Sequence, residues 1–300
     1  MKLATTTSDF GKYSNDQEVL IRYLSECGFK YIDYNFGIDY KNGSGFFDDF
    51  DAQVDRMKAL ADELDIKFVQ SHAPMGTPIV KNEKYESFIE CNITCIKACA
   101  KLSIPNLVVH SGYEKGISKE ECFKRNKEFY DRLLPYATEY SVDILTENFN
   151  KMWDPETYWI DNAQELRELV DYIDHPMLNV CWDIGHANLQ STPQHEALKI
   201  LGDKVHALHV QDNYNRTDSH KAPFFGTINW DSVMHGLKEI GYNGYFTFES
   251  DNLLTGAHAK RAFDQDSRLL VPPVEFQLTL EKLLYDIGKY ILTSYDCFEE

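Results

Sequence analysis

Short apolar runs alternate along the chain with longer segments whose apolar residues recur at helical spacing. The runs lie at residues 2–6, 31–35, 67–72, 107–110, 142–147, 179–183, 205–210 and 245–249. Some of them, such as Leu107-Val108-Val109, are continuously apolar, which is typical of parallel strands covered on both faces. The helical segments lie at residues 16–27, 48–64, 84–102, 119–140, 163–172, 193–201 and 230–240, and a pair of helices is predicted within residues 259–292.

Eight strand signals, each followed by a helix signal, predict an α/β protein with a (β/α)8 barrel. The 300 residues suit one such domain over residues 1–300, with a helical extension over about residues 259–300. Ser118 precedes a predicted helix and is followed by Glu121, a capping-box pattern that supports the register. Gly28 follows the first predicted helix, where a left-handed cap is common. A doubly wound open sheet is the competing fold, and the missing Gly-rich turn after the first strand weakens it.

The composition and net charge of the chain indicate which binding partners and which cellular compartment to expect. Hydrophobic residues make up 43% of the chain, and the net charge is −18, from 48 acidic and 30 basic residues. This charge argues against a nucleic-acid partner, because binding a polyanion depends on Lys and Arg. We expect no membrane span and no signal peptide, since no stretch approaches about 20 apolar residues and the start lacks an apolar core. Seven scattered cysteines indicate a reducing, cytoplasmic location without a disulfide framework.

Most predicted strands that begin with apolar residues end in His, Asp or Glu. The residues concerned are His72, His110, Glu147, Asp183, His209 and Glu249, with His186 three positions after Asp183. In a barrel these strand ends converge on one mouth. Carboxylates and imidazoles without cysteine suit Mn²⁺, Mg²⁺, Co²⁺ or Zn²⁺. Without a cation, clustered carboxylates repel one another and become protonated, so the pattern predicts a divalent metal site.

Glu147 and Glu249 end strands on opposite sides of the gap left by the sixth and seventh strands. Their carboxylates are therefore predicted to contact two faces of one ligand, as a general acid and a general base. A metal between them would polarise a carbonyl or hydroxyl oxygen. The alternative is that Glu147, Asp183 and Glu249 form buried ion pairs with Lys or Arg.

A series of motifs extends from the third predicted strand to the eighth. They read Ser71-His72-Ala73-Pro74, Val109-His110-Ser111-Gly112, Leu145-Thr146-Glu147-Asn148, Cys181-Trp182-Asp183-Ile184-Gly185-His186-Ala187-Asn188, His209-Val210-Gln211-Asp212-Asn213, Asp218-Ser219-His220, Gly226-Thr227-Ile228-Asn229-Trp230 and Phe248-Glu249-Ser250. In this order the set resembles the xylose isomerase-like TIM barrel superfamily, which holds sugar and sugar phosphate isomerases and epimerases and also endonuclease IV.

Resemblance to the ketose 3-epimerase branch implies one divalent metal, held by Glu147, Asp183, His209 and Glu249. Glu147 and Glu249 would also be the proton-transferring pair, and His186 would hydrogen-bond a substrate oxygen beside the carbonyl. Such enzymes move a proton at the carbon next to a carbonyl through an enediolate. The chain has no firm phosphate-binding loop, so both sugars and sugar phosphates remain candidate substrates.

The endonuclease branch uses a larger ligand set with three Zn²⁺ ions and cuts DNA at abasic sites. His72, His110 and Asp218-Ser219-His220 match its additional positions, so His72, His110, His186, Asp218 and His220 are candidates for further metal or substrate contacts. The implied metal count is therefore one, and as many as three.

Two positions depart from the epimerase pattern. Phe224 and Phe225 occupy the middle of a loop that usually reads Pro-Gly-x-Gly. Trp153 stands six residues after Glu147, where epimerases commonly carry an acidic residue. With His186, Trp153 is a candidate for substrate binding, since an aromatic ring can stack on a sugar.

These features favour a metal-dependent isomerase or epimerase of carbohydrate metabolism, with a small-molecule carbohydrate as its substrate. One alternative is a multi-metal hydrolase or lyase of the endonuclease IV type, and a dehydratase acting on a polyol ketone is another. A non-catalytic sugar-binding protein would have lost one proton-transfer carboxylate, yet Glu147 and Glu249 are both present. A homo-oligomer is compatible with the sequence.

Overall fold

Eight parallel strands form the centre of the molecule. The computed structural model describes residues 1–76, 78–150, 160–190, 192–254 and 271–300. The strands are β1 (Lys2–Thr6), β2 (Tyr31–Asn35), β3 (Lys67–His72), β4 (Asn106–Val108), β5 (Asp143–Glu147), β6 (Leu178–Asp183), β7 (Val205–His209) and β8 (Tyr245–Phe248). Each strand from β1 to β6 pairs with the next, and β8 pairs with β1.

The remaining edges, β7 and β8, meet just beyond β7. Val210 forms a parallel bridge with Phe248. The Val210 N–H donates to the Thr247 carbonyl at 2.8 Å, and the Glu249 N–H donates to the Val210 carbonyl at 3.1 Å. The predicted (β/α)8 barrel is therefore confirmed.

The helices lie between the strands in sequence, except for α10, which follows β8. They are α1 (Gln17–Glu26), α2 (Phe36–Asn42), α3 (Phe50–Leu64), α4 (Tyr85–Leu102), α5 (Lys119–Tyr140), α6 (Ala163–Ile173), α7 (Ile184–Asn188), α8 (Gln194–Leu201), α9 (Trp230–Glu239) and α10 (Val274–Ser294). Among the described helices, none combines the length and the apolar character that crossing a bilayer requires.

The helix caps follow the sequence signals. The Ser118 side chain accepts a hydrogen bond from the Glu121 N–H at the start of α5. Gly28 has φ +100° directly after the end of α1, as a left-handed cap requires. Of the predicted C-terminal pair of helices, the structure describes α10, and residues 259–270 lie outside the described residues.

Two short helices near the mouth were not predicted. Each follows directly on a strand and is capped by the strand's last side chain: Asn35 accepts from the Gly37 N–H to start α2, and Asp183 accepts from the His186 N–H to start α7. Helices of 7 and 5 residues are too short to show an apolar period in the sequence.

A small cluster of buried side chains on neighbouring strands leads to the mouth. It consists of Val108, Leu145, Cys181 and Ala207, on β4 to β7. Residues two apart on a strand share a face. Glu147, Asp183 and His209 therefore follow Leu145, Cys181 and Ala207 on the same face, one step nearer the carboxyl ends of the strands.

Candidate functional site

The candidate residues all lie at one end of the barrel, on the strand ends and the loops that follow them. His72, Glu147, Asp183 and His209 are the last residues of β3, β5, β6 and β7. His110 and Glu249 follow shortly after β4 and β8, His186 lies in α7, and Asp218 and His220 lie between β7 and α9. Trp153, the other candidate for substrate binding, lies outside the described residues.

Glu147, Asp183, His209 and Glu249 form a central group. One potential ligand atom from each lies within 4.8 Å of the others. The Nδ1 atom of His209 is 2.9 Å from Glu147 Oε1 and 3.5 Å from Glu249 Oε2. Glu147, Asp183 and His209 are buried, whereas the Glu249 side chain remains 16% exposed. The structure thus brings the four residues together as predicted.

His72 and His110 lie on one side of this group. The Nε2 atoms of the two rings are 3.0 Å apart, while His72 Nδ1 donates to the Ala73 carbonyl at 2.7 Å. Glu147 Oε2 is 3.1 Å from His110 Nε2. Glu147 therefore faces His209 with one oxygen and His110 with the other.

His186, Asp218 and His220 form a second flanking group. His186 Nε2 is 3.1 Å from Asp218 Oδ2, and His220 Nε2 is 3.2 Å from Asp218 Oδ1. The opposite ring nitrogens donate to backbone carbonyls, that of His186 to Asn148 at 2.9 Å and that of His220 to Glu249 at 3.0 Å. Both rings are thereby fixed with Nε2 toward the carboxylate.

Burial and the neighbouring imidazoles set the charge of the carboxyl groups. Burial alone would raise the pKa of Glu147, but His209 and His110 outweigh it and hold the pKa well below its usual range. Burial raises the pKa of Asp183 to about 7, against the opposing charge of His186. His186 and His220 likewise overcome burial and lower the pKa of Asp218.

The pKa values of four of the five imidazoles that flank these carboxyl groups are raised. Burial would lower the pKa of His186, but the charges of Asp183 and Asp218 raise it to about 10. Carboxylates also outweigh burial at His72 and His220 and raise their pKa values. Burial would lower the pKa of His209, but Cys181, Glu147 and Glu249 together raise it. Burial lowers the pKa of His110.

The donor set fits a divalent cation. Glu147 Oε2 and Asp183 Oδ2 are buried and accept no hydrogen bond from the described residues. The ion pairs that Glu147, Asp183 and Glu249 form within the described chain are with histidines, and none is with Lys or Arg. A buried carboxylate oxygen without a donor is costly unless a cation meets it.

Several polar residues that support the group were not singled out from the sequence. Asn148 Nδ2 donates to the Asp183 carbonyl at 2.9 Å, and Asn148 Oδ1 accepts from the Asp183 N–H at 2.8 Å. Gln211 Nε2 donates to Asp218 Oδ1 at 3.0 Å. Asn148 directly follows Glu147, and Gln211 stands two positions after His209. An amide side chain next to a strand end that carries a charged residue is the sequence signal that would have identified both.

Asp212 supports the loop that carries Asp218 and His220. The buried carboxylate of Asp212 accepts from the N–H groups of Asn213, Phe224 and Ile228 at 2.8, 3.1 and 3.2 Å. Gly226 approaches so closely that an added Cβ would lie 2.2 Å from Asp212 Oδ1. The glycine in this loop motif is therefore required by packing.

Comparisons with known proteins identify relatives of the chain. It is 31% identical to D-psicose 3-epimerase of Ruminiclostridium cellulolyticum over 137 residues, which cover 46% of this chain and 44% of that protein. An uncharacterized protein of Methanocaldococcus jannaschii is 29% identical over 209 residues, covering 67% of this chain and 70% of that one.

A solved structure shares the fold over almost the whole chain. The structure of D-psicose 3-epimerase with D-tagatose from Clostridium cellulolyticum H10 superposes with a TM-score of 0.78 and 20% sequence identity, covering 97% of this chain and 99% of that one. The sequence model of the xylose isomerase-like TIM barrel family matches residues 21–270. The chain therefore belongs to the xylose isomerase-like TIM barrel family.

Proposed function

We propose that the protein is a divalent metal-dependent isomerase or epimerase that moves a proton at the carbon next to the carbonyl of a ketose-type carbohydrate. The observation that supports this most directly is the pair of carboxylates beside His209 Nδ1, Glu147 at 2.9 Å and Glu249 at 3.5 Å. Two of the three proteins compared above carry an epimerase name, which agrees with this reaction class.

Glu147, Asp183, His209 and Glu249 would hold the metal. When bound, the ion would stabilise negative charge on the substrate oxygen next to the reacting carbon. Asp183 is prepared for this role by its cap on α7, because Oδ1 accepts the His186 N–H at 2.6 Å while Oδ2 has no described donor.

The two glutamates differ in access to solvent, which suggests different proton-transfer roles. The Glu147 side chain is 1% exposed and the Glu249 side chain 16% exposed. One carboxylate removes the proton from carbon, and the other delivers a proton to the carbon or oxygen that receives it. Glu249 is the residue that exchanges its proton with water, since only its carboxylate reaches solvent appreciably.

His186 would orient the substrate. Its Nδ1–H is held by the Asn148 carbonyl, and its Nε2 points toward Asp218. A substrate hydroxyl or carbonyl oxygen beside the reacting carbon would accept the Nε2–H hydrogen bond in place of Asp218, while the Asn148 carbonyl keeps the ring oriented. The substrate is then bound through oxygen atoms, as expected for a carbohydrate.

The test is isotope exchange from solvent. The Mn²⁺-loaded protein is incubated in D₂O with a panel of ketohexoses that includes D-psicose and D-tagatose, and deuterium uptake at the carbon next to the carbonyl is followed by NMR. We expect uptake with the wild type, and a loss of about 10²-fold or more in Glu147→Gln and Glu249→Gln.

Glu139→Gln is the matched control, because Glu139 is exposed and lies in the last turn of α5, on the side of the barrel opposite the mouth. It should exchange at the wild-type rate. Each glutamine variant should still bind the sugar, measured by calorimetry with the metal present. Full exchange in either variant would show that the two-carboxylate mechanism is wrong, and no exchange with any ketose would remove the support for an epimerase.

A multi-metal hydrolase is a second candidate. The observation that favours it is the pair of flanking groups, His72 with His110 and Glu147, and His186 with Asp218 and His220, each close enough to share an ion. Elemental analysis after dialysis would distinguish the candidates. One ion per chain supports the epimerase site, and three ions together with cleavage of an abasic-site oligonucleotide support the hydrolase.

A further inference from the structure

Asp33 is a buried carboxylate that lies next to the central group. It occupies the middle of β2, and the residue is 1% exposed. Its position between Ile32 and Tyr34, both buried, is costly, because a buried charge needs hydrogen-bonding partners. The identity of those partners indicates what Asp33 does.

The Oδ2 atom of Asp33 has two partners. Gln70 Nε2 donates to it at 2.9 Å, and His209 Nε2 lies 3.3 Å away. Gln70 is in turn held by Thr247, whose hydroxyl donates to Gln70 Oε1 at 3.3 Å. These contacts connect β2, β3, β7 and β8, so the carboxylate is fixed from several strands.

The contact with Asp33 determines which nitrogen of His209 carries a hydrogen. Asp33 Oδ2 already accepts from Gln70, so it is an acceptor toward His209, and Nε2 donates. The ring is then oriented with Nδ1 toward Glu147 Oε1 and Glu249 Oε2. Nδ1 is the nitrogen left to bind a cation in the central group.

We propose that Asp33 is a positioning residue that holds His209 with Nε2 protonated, so that Nδ1 is the metal-binding atom. This inference rests on the proposed function, in which His209 is one of four metal ligands. A carboxylate that accepts from the second ring nitrogen of a ligating histidine fixes the ring and raises its basicity, and its loss typically weakens metal binding about 10- to 100-fold.

The first measurement is the affinity for Zn²⁺ alone, by competition with a chromophoric chelator, in the wild type, Asp33→Asn and Asp39→Asn. Asp39 is the control, because it is also a buried carboxylate, accepting from the Tyr34 hydroxyl at 2.6 Å, but it lies in α2 away from the four ligands. We expect Asp33→Asn to bind about 10- to 100-fold more weakly than wild type and Asp39→Asn to bind normally.

The second measurement reads the wild-type ring directly, so it does not depend on the folding of Asp33→Asn. Long-range ¹H–¹⁵N spectra of the Zn²⁺-loaded protein, with His209→Gln to identify the signal, should show His209 with a proton on Nε2 and the metal on Nδ1. Coordination through Nε2, or wild-type affinity in Asp33→Asn, overturns this inference and leaves the proposed reaction standing. A wild type that binds no Zn²⁺ overturns both.

Discussion

Phe224 adopts a backbone conformation that side chains other than glycine rarely take. Its φ is +73°, and its N–H donates to Asp212 Oδ2 at 3.1 Å. Phe224 stands at the first glycine position of the Pro-Gly-x-Gly pattern that related loops carry. The loop therefore keeps a left-handed residue at this point although the glycine is missing, and the contacts of Asp212 hold the strained conformation.

Glycine at this position should relieve that strain. A left-handed conformation costs a residue with a Cβ about 1–2 kcal/mol. We therefore expect Phe224→Gly to be about 1 kcal/mol more stable than Phe224→Ala, measured as the free energy of unfolding in urea, because the strain outweighs the greater freedom of glycine in the unfolded chain. Phe224→Ala is the matched control, because both variants lose the ring contacts with Trp230 and Tyr290 and only alanine keeps a Cβ at the positive φ. Equal losses in the two variants would contradict the strain argument.

At the scale of elements, α10 is attached to the barrel through a pair of buried carboxyl groups. The Thr5 hydroxyl lies 2.7 Å from Asp9 Oδ2 and 3.1 Å from Glu281 Oε1, which joins β1 and the turn after it to α10. Burial raises the pKa of Glu281 to about 7, and burial together with the charge of Glu281 raises the pKa of Asp9. Two carboxyls so close and so deeply buried are stable when they share a proton.

This pair should make stability fall as the pH rises. In the folded protein Glu281 keeps its proton up to about pH 7, whereas the unfolded chain loses it near its ordinary value. The folded state therefore binds more protons between these limits, and the free energy of unfolding decreases from about pH 5 to pH 8. Glu281→Gln should flatten this dependence and be roughly 1–3 kcal/mol more stable than wild type at pH 8.

Urea unfolding at pH 5, 6.5 and 8 measures the effect. Asp286→Asn is the control on the same helix, because Asp286 is exposed. Its stability should follow the wild-type dependence on pH. Parallel curves for the wild type and Glu281→Gln would show that the carboxyl pair does not share a proton in the way proposed.

At the scale of the whole molecule, the fold brings together at the mouth acidic side chains from strands that are distant along the chain. Glu147 and Glu249 are separated by about a hundred residues, yet both lie beside His209 Nδ1. In the described part of the chain their charge is met by histidines alone. Folding therefore assembles a group of carboxylates whose repulsion a bound cation would relieve.

A cation that binds this assembled group should stabilise the whole barrel, since the unfolded chain has no such site. At a free Mn²⁺ concentration about 100 times the dissociation constant, the gain is about 2.7 kcal/mol. We expect a melting temperature several degrees higher with Mn²⁺ than with a chelator, measured by calorimetry. Glu249→Gln should reduce the difference and Glu139→Gln should not. A melting temperature that changes neither with Mn²⁺ nor with a chelator would contradict the proposed metal site.

The strands and most of the mouth could be predicted from residue order because their signals are local. An apolar run that ends in Glu147 or Asp183 shows both the strand and its polar end within a few residues. β4 is shorter than predicted, Asn106–Val108, so His110 lies in the following loop. The apolar pattern continued through Val109, and only the pairing of β4 with its neighbours decided where the strand ends.

The amino-acid sequence by itself determined the eight strands, their polar ends and the family, because each depends on apolar spacing and motifs within short segments. Only the tertiary structure decided that Asp33 contacts His209, 176 positions away, and that Asp9 and Glu281 share one buried site. Such pairs depend on how the barrel closes and which side chains then face one another. The spacing of residues along the chain does not show which side chain will pair with a buried charged group. It also does not show whether that group will hold a proton.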